Sequence, residues 1–327
     1  MKLYLAPMEG VVDADMRDLL TQVGGYDYCV TEFVRVSERR LPAKVFHRLA
    51  PELLHDGRTA AGTRVIVQIL GGEPWVMAAN AKRAAALGAA GVDINFGCPS
   101  KWTTRRDGGA ILLREPERIF DIVHAVRQAV DPAIAVSAKM RLGYEDTLRT
   151  LEIVDAITEG GANFVTVHAR TKVDGYKPPA KWEWLARIRQ HTHIPVIANG
   201  DIASVDDFVR CQEISGCDRF MLGRGAVAQP DLALQIKLRD QHQIQHWDKV
   251  LPLLQQLVLL MQQNPEFKHQ QIKGRIKQWF SFLHRIYPEA DALYLPLKRT
   301  EHLDEVKQLL GMASTTILSD KTTTPNT

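Results

Sequence analysis

The sequence predicts a (β/α)8 barrel followed by an all-helical domain. Short, nearly continuous apolar runs of β type alternate with longer amphipathic stretches over the first 240 residues, which is the pattern of a parallel sheet covered by helices. Eight such units occur, the number that closes a barrel. Polar residues recur at the C-terminal ends of the runs, the face on which a barrel builds its site. A doubly wound open sheet is the alternative; the gathering of polar residues at so many run ends favours the barrel.

In order, the runs are "LYLAPM", "YDYCVTEF", "RVIVQIL", "GVDINFG", "IAVSAKMRL", "NFVTVHAR", "IPVIANGD" and "DRFMLGRG". Stretches such as "EPWVMAANAKRAAALGA", "EPERIFDIVHAVRQAV" and "TLRTLEIVDAITEGGA" separate them, with apolar residues three and four apart. The polar run ends read Pro7, Met8 and Glu9; Arg35; Gln68; Asn95 and Cys98; Lys139 and Arg141; His168 and Arg170; Asn199, Gly200 and Asp201; Gly223 and Arg224. Gln68 and Lys139 interrupt apolar runs. Unless they serve a site, they are buried polar groups in need of partners.

Beyond residue 240 the strand pattern stops. "WDKVLPLLQQLVLLMQQ", "HQQIKGRIKQWFSFLHRIYP" and "EHLDEVKQLLGM" read as helices, and "SDKTTTPNT" as a disordered end. The expected division is therefore a barrel over 1–240, a helical domain over 241–315 and a tail over 316–327. Between Glu266 and Glu289 there is no acidic residue, while Lys268, Lys273, Arg275, Lys277 and Arg285 lie there with His269 and His284. Lys273 and Lys277 are one turn apart on one face. Such a face suits nucleic-acid phosphates, or is simply solvated. The interleaved aromatics Trp279, Phe280 and Phe282 read mainly as core.

Composition bounds the rest. Of 327 residues, 45% are hydrophobic and 24% charged, with a net charge of +3, ordinary for a globular protein and compatible with nucleic acid. No apolar run is long enough to cross a bilayer, and "MKLYLAPMEG" is no signal peptide. A cytoplasmic protein is expected. Four cysteines do not make a disulfide framework in such a chain, and none has a partner at metal-ligand spacing, so no metal is expected.

Cys98 stands apart because "GVDINFGCPSK" places it at the end of a strand and follows it with Pro99. Proline fixes its own φ and restricts the preceding residue to extended conformations, which holds the thiol in one place. Lys101, Arg105 and Arg106 follow, suited to phosphates or to solvent. The glycine-rich "ANGDI" and "LGRG" fall in the seventh and eighth units, where barrels often hold a phosphate. Arg224 adds a charge there, which points to a phosphorylated cofactor. A lysine at position 139 suits the electron-rich edge of a reduced flavin, and Gln68 offers that ring a donor and an acceptor. Asn95 can bond a base edge or the flavin, and Tyr176 can stack on a base.

"LAPMEG", "NFGCPSK", "AKMRLG", "VHARTK", "IANGDI" and "GRGA" together resemble the tRNA-dihydrouridine synthase family. The resemblance runs the whole chain, and "TEFVRV" and "RIKQWFSFL" resemble its branch that reduces uridine 16 of the tRNA D-loop. It implies FMN held by Pro7, Met8, Glu9, Gln68, Lys139, His168, Asn199, Gly200, Asp201, Gly223 and Arg224. It implies NADPH as reductant and a target uridine flipped into the barrel mouth. Hydride passes to C6 of uracil, and Cys98 gives a proton to C5. A thiol of ordinary pKa, about 8.5, keeps that proton at neutral pH. Arg35, Asn95, Tyr176, Arg275, Lys277, Phe282 and Lys298, with Arg299 an alternative to Lys298, are the matching tRNA contacts. The enzyme is expected to act as a monomer.

Two other readings stay open. A flavin barrel acting on a free pyrimidine or small enone has no need of the basic helical domain. A non-catalytic tRNA-binding protein has no need of Cys98, Lys139 and both glycine loops.

Overall fold

The computed structural model describes residues 1–100, 108–239 and 246–312. Lys101, Arg105, Arg106, the expected junction at 240/241 and the expected tail at 316–327 lie outside the described residues. The chain divides into two compact units, residues 1–245 and 246–327.

The first unit is a closed parallel barrel. Its strands are β1 (Lys2–Leu5), β2 (Tyr28–Val30), β3 (Val34–Arg35), β4 (Arg64–Leu70), β5 (Gly91–Phe96), β6 (Ala135–Arg141), β7 (Phe164–His168), β8 (Val196–Asn199) and β9 (Arg219–Leu222). Neighbours pair in parallel from β4 through to β9, β9 pairs with β1, β1 with β2, and β2 with β4, which closes the ring. The open-sheet alternative is thereby excluded. β2 and β3 are two pieces of one interrupted barrel strand, and both pair with β4. Arg35, expected after the second strand, is therefore the last residue of its second piece. The interruption is used: the Thr31 hydroxyl accepts the Gln68 N–H at 3.1 Å.

The interior is layered by the two-residue period of the strands. Tyr4, Ala6, Val30, Ile66, Ile197 and Met221 form one apolar cluster, with Tyr28 and Phe164 packed on it. Tyr4 stacks on Tyr28 with centroids 5.0 Å apart. Two residues further along the same faces the side chains turn polar: Gln68 follows Ile66, and Asn199 follows Ile197. The apolar layer stops the barrel from being a pore, and the polar layer above it forms the mouth.

Helices cover the outside. In Pro74–Ala86, proline occupies the first turn, where no N–H is needed, and Val76, Met77, Asn80, Ala81 and Ala84 make the buried stripe. Each fully buried Val or Met side chain there contributes roughly 1.5–3 kcal/mol. Ser204 caps Val205–Ser215 by accepting the Asp207 N–H at 3.0 Å, and Gly216 ends that helix at φ +64°. Arg17, fully buried, makes a two-pronged ion pair with Glu52 at 2.7 and 3.0 Å and also donates to the Leu49 carbonyl.

The described part of the second unit is helical: Trp247–Gln263, His269–Leu283, Pro288–Arg299 and Leu303–Leu309. The third of these is not anticipated from the sequence. Of the interleaved aromatics read as core, Trp279 and Phe280 are buried and Phe282 is half-buried, and Trp247 packs edge-on against Phe280 at 6.0 Å. Among the described residues, no helix is long and apolar enough to cross a membrane, and no three His, Cys, Asp or Glu side chains form a metal-binding group.

Candidate active site at the barrel mouth

Strand register assembles the mouth. Gln68 pairs with Asp93, Asn95 with Lys139, Arg141 with His168, and His168 with Asn199. Residues far apart in sequence thus stand side by side at one end of the barrel.

The Lys139 ammonium donates to Asn199 Oδ1 at 3.1 Å, and Asn199 Nδ2 donates to the Met221 carbonyl at 2.9 Å. Burial, reinforced by the Arg141 charge, pulls Lys139 down to about 8. Gln68 is fully buried. Its Nε2 donates to Asp93 at 2.7 Å, and its Oε1 accepts from Asn95 Nδ2 at 2.8 Å. Asn95 Oδ1 accepts the N–H groups of Gly97 and Cys98 at 2.9 and 2.8 Å.

Cys98 is held from several sides. The Ala110 N–H donates to its carbonyl at 3.0 Å, and Gly109, at φ +72°, packs so closely that a Cβ there would lie 3.0 Å from that oxygen. Arg141 donates to the Gly97 carbonyl at 2.9 Å and to those of Thr171 and Gly175 at 3.0 and 2.9 Å. One guanidinium therefore ties the cysteine segment to the loop that carries Tyr176. None of the four cysteines is in a disulfide; Cys98 is half-buried and the other three are buried. Burial pushes the Cys29 and Cys211 thiols up to about 12, so neither is a ready nucleophile.

A cationic cluster forms the other wall. Arg170, fully buried, pairs with Asp201, which also accepts the Ala180 N–H at 2.8 Å; Arg224 approaches Asp201 at 3.7 Å. Arg170 Nη1 lies 3.1 Å from His168 Nε2. Guanidinium can only donate, so Nε2 accepts and the imidazole proton sits on Nδ1. Burial, then the charges of Lys139, Arg141, Arg170 and Arg224, hold His168 far below the usual histidine range and therefore neutral. The Tyr176 ring is more than half exposed and is covered by Arg224 at 4.9 Å and Arg141 at 5.2 Å, with His168 5.9 Å away.

Pro7 and Met8 follow β1 and are half-buried; Glu9 is exposed and pairs with Arg35 at 3.6 Å. Gly223 lies beside them: a Cβ there would stand 3.7 Å from Met8 Sδ and from Ala6. Gly200, at φ +122°, is a position where a Cβ would meet His168 at 3.1 Å and Ala180 at 3.2 Å.

The remaining sequence candidates lie in the second unit. Lys277 Nζ donates to the carbonyls of Lys298 and Thr300 at 2.9 and 2.7 Å, and Lys273 Nζ to that of Glu301 at 2.5 Å. The shared face of the two lysines is real, and it clamps the end of Pro288–Arg299. Arg275 is buried and donates to Gln278 at 2.5 Å. Phe282 is half-buried, and Lys298 is exposed with its ammonium 4.4 Å from the centre of the Tyr294 ring.

Sequence reasoning passed over Asp93 and Ser137. Both stand two residues before a polar candidate on the same strand, Asn95 and Lys139, and that spacing was the available signal.

The family model described as Dihydrouridine synthase (Dus) matches residues 4–313. The tRNA-dihydrouridine(16) synthase of Aquipseudomonas alcaligenes is 48% identical over 316 residues, covering 96% of this chain and 100% of its own. That of Shewanella oneidensis is 50% identical over 313 residues, covering 96% and 98%. Among solved structures, histamine dehydrogenase from Rhizobium sp. 4-9 superposes with a TM-score of 0.57 at 15% identity, covering 74% of this chain and 46% of that one. This chain thus spans less than half the length of that dehydrogenase and shares its barrel fold.

Proposed function

The chain belongs to the dihydrouridine synthase family, and from that premise we propose that it reduces the C5–C6 double bond of uridine 16 in the tRNA D-loop, with FMN as cofactor and NADPH as reductant. The observation that carries this reading is the convergence of Lys139, Gln68, Asn95 and Cys98 on one barrel mouth.

The residues present fit a flavin mononucleotide. Lys139 and Gln68 supply a cation and an amide for the polar ring edge. Thr166 Oγ1, two residues before His168 on the same strand face, is buried with no hydrogen-bond partner among the described residues. Gly200 and Gly223 lack side chains where the backbone packs close to His168 and to Met8, and Arg224 stands beside Asp201 for a phosphate. Pro7, Met8, Glu9, Asn199, Asp201 and neutral His168 complete the set. When bound, FMN would supply the hydride for C6 of uracil, with NADPH as its source.

The chain supplies the rest. Asn95 and Tyr176 hold the flipped base, and Cys98 Sγ gives its proton to C5 as C6 receives hydride, so the ring gains two hydrogens and the thiol leaves as thiolate, to be reprotonated from solvent. The barrel unit is the catalytic domain of a cytoplasmic enzyme. The helical unit contacts tRNA through Lys277, Phe282 and Lys298, and through Arg275 once its buried side chain turns outward; Arg35 contacts tRNA from the barrel unit. The uridine-16 names of the relatives support the target position.

The test is to supply NADPH and tRNA from a strain lacking dihydrouridine, then map reduced positions nucleotide by nucleotide. Dihydrouridine at 16 alone is expected. Reduction at another position overturns the target, and reduction of free uridine without tRNA overturns the substrate class.

A further inference from the structure

The chemistry above leaves Asp93 unassigned, although it is 2% exposed and stands inside the barrel among the site residues. It is one end of a chain of hydrogen bonds that reaches Cys98. Ser137 Oγ donates to Asp93 Oδ1 at 2.6 Å, Gln68 Nε2 to Asp93 Oδ2 at 2.7 Å, Asn95 Nδ2 to Gln68 Oε1 at 2.8 Å, and the Gly97 and Cys98 N–H groups to Asn95 Oδ1.

The direction of each bond as far as Asp93 is forced from the far end. Backbone N–H groups only donate, so Asn95 must present Oδ1 to Gly97 and Cys98. Its Nδ2 then faces Gln68, which must answer with Oε1. Gln68 Nε2 is left pointing at position 93, and whatever stands there must accept. A carboxyl does so in either protonation state, because a proton on Oδ1 leaves Oδ2 an acceptor. A residue that cannot accept removes the anchor from Gln68, and a rotated Gln68 sets amide nitrogen against amide nitrogen at Asn95.

We propose that Asp93 is a positioning residue for the Cys98 segment: by accepting from Gln68 it fixes the polarity of two amides and so pins the backbone that presents the thiol. The proposal rests on the reading of Cys98 as the proton donor. Asp93→Asn separates polarity from charge, since its Oδ1 still accepts from Gln68 while its Nδ2 donates to Ser137 Oγ. Asp93→Ala removes both.

The deciding experiment is amide hydrogen exchange on the FMN-free protein, which needs neither cofactor nor substrate. Asp93→Ala is expected to speed exchange at Gly97 and Cys98 by about tenfold or more while Ile94 keeps its protection; Asp93→Asn stays within about threefold of wild type. Should Asp93→Ala not fold, Gln68→Leu cuts the same chain one link later and is expected to expose the same two amides. Wild-type protection at Gly97 and Cys98 in a folded Asp93→Ala or Gln68→Leu protein overturns the proposal. So does exchange in Asp93→Asn as fast as in Asp93→Ala, and so does an equal loss of protection at every barrel strand, which is mere destabilisation. In the loaded enzyme, tRNA-dependent turnover is expected to fall about tenfold in Asp93→Ala and to recover in Asp93→Asn. A wild type that makes no dihydrouridine defeats the functional reading and leaves the exchange result to decide the positioning role.

Discussion

Lys139 and Asn199 meet across the barrel mouth, ammonium to amide oxygen, at 3.1 Å. The lysine sits where burial disfavours its charge and Arg141 repels it, which brings it down to about 8. In the unfolded chain a lysine titrates near 10.4. Between those values the unfolded state therefore binds more protons than the folded one, and stability rises as pH rises through the window. Thermal denaturation of the FMN-free protein from pH 7 to pH 10 is expected to show that rise, and Lys139→Met to flatten it. An unchanged slope in the variant assigns the titration elsewhere.

The neutral His168 gives a spectroscopic prediction. Its Nε2 accepts from Arg170, so the proton belongs on Nδ1, and the surrounding cations oppose a second one. Imidazole 15N shifts are expected to report the Nδ1–H tautomer and no titration between about pH 5 and 8, the range in which an ordinary histidine changes charge. A titrating His168 contradicts the cluster as described.

Space and backbone together require glycine at position 200. Its φ of +122° disfavours any side chain, and a Cβ would crowd His168 and Ala180. Gly200→Ala is expected to cost about 1–3 kcal/mol in urea unfolding and to release FMN on gel filtration. A yellow, wild-type-stable variant removes this loop from the cofactor site.

Lys277 has two roles to separate. Its clamp on the Lys298 and Thr300 carbonyls is structural, and Lys277→Ala is expected to destabilise the helical unit by roughly 1–3 kcal/mol. Lys277→Gln keeps donor groups and loses the charge. If Lys277 also meets a phosphate, this variant keeps its melting temperature, binds tRNA more weakly and shows a shallower salt dependence. Wild-type tRNA affinity in Lys277→Gln leaves it a clamp alone.

Much of the barrel was legible because buried parallel strands advertise themselves. "RVIVQIL" is β4 end to end, and the polar interruptions Gln68 and Lys139 proved to be inward positions with partners. The break between β2 and β3 was not legible, since pairing with β4 and the Thr31–Gln68 bond decide it, not local propensity. The helix Pro288–Arg299 was hidden by its prolines: Pro288 is tolerated in the first turn, whereas Pro296 sits inside and reads as a breaker. The pairing of Lys273 and Lys277 on one face followed from helical spacing. The carbonyls they clamp belong to a segment more than twenty residues on, which no periodicity could locate.

The most direct test of the site is a single turnover without oxygen. Wild type and Cys98→Ala, each loaded with FMN and reduced by NADPH, are mixed with tRNA lacking dihydrouridine, and flavin reoxidation and dihydrouridine formation are followed together. Both proteins are expected to be reduced by NADPH at similar rates; wild type then makes dihydrouridine, and Cys98→Ala is slowed at least about a hundredfold, the share of a lost general acid. Dihydrouridine formed by Cys98→Ala at the wild-type rate contradicts the account.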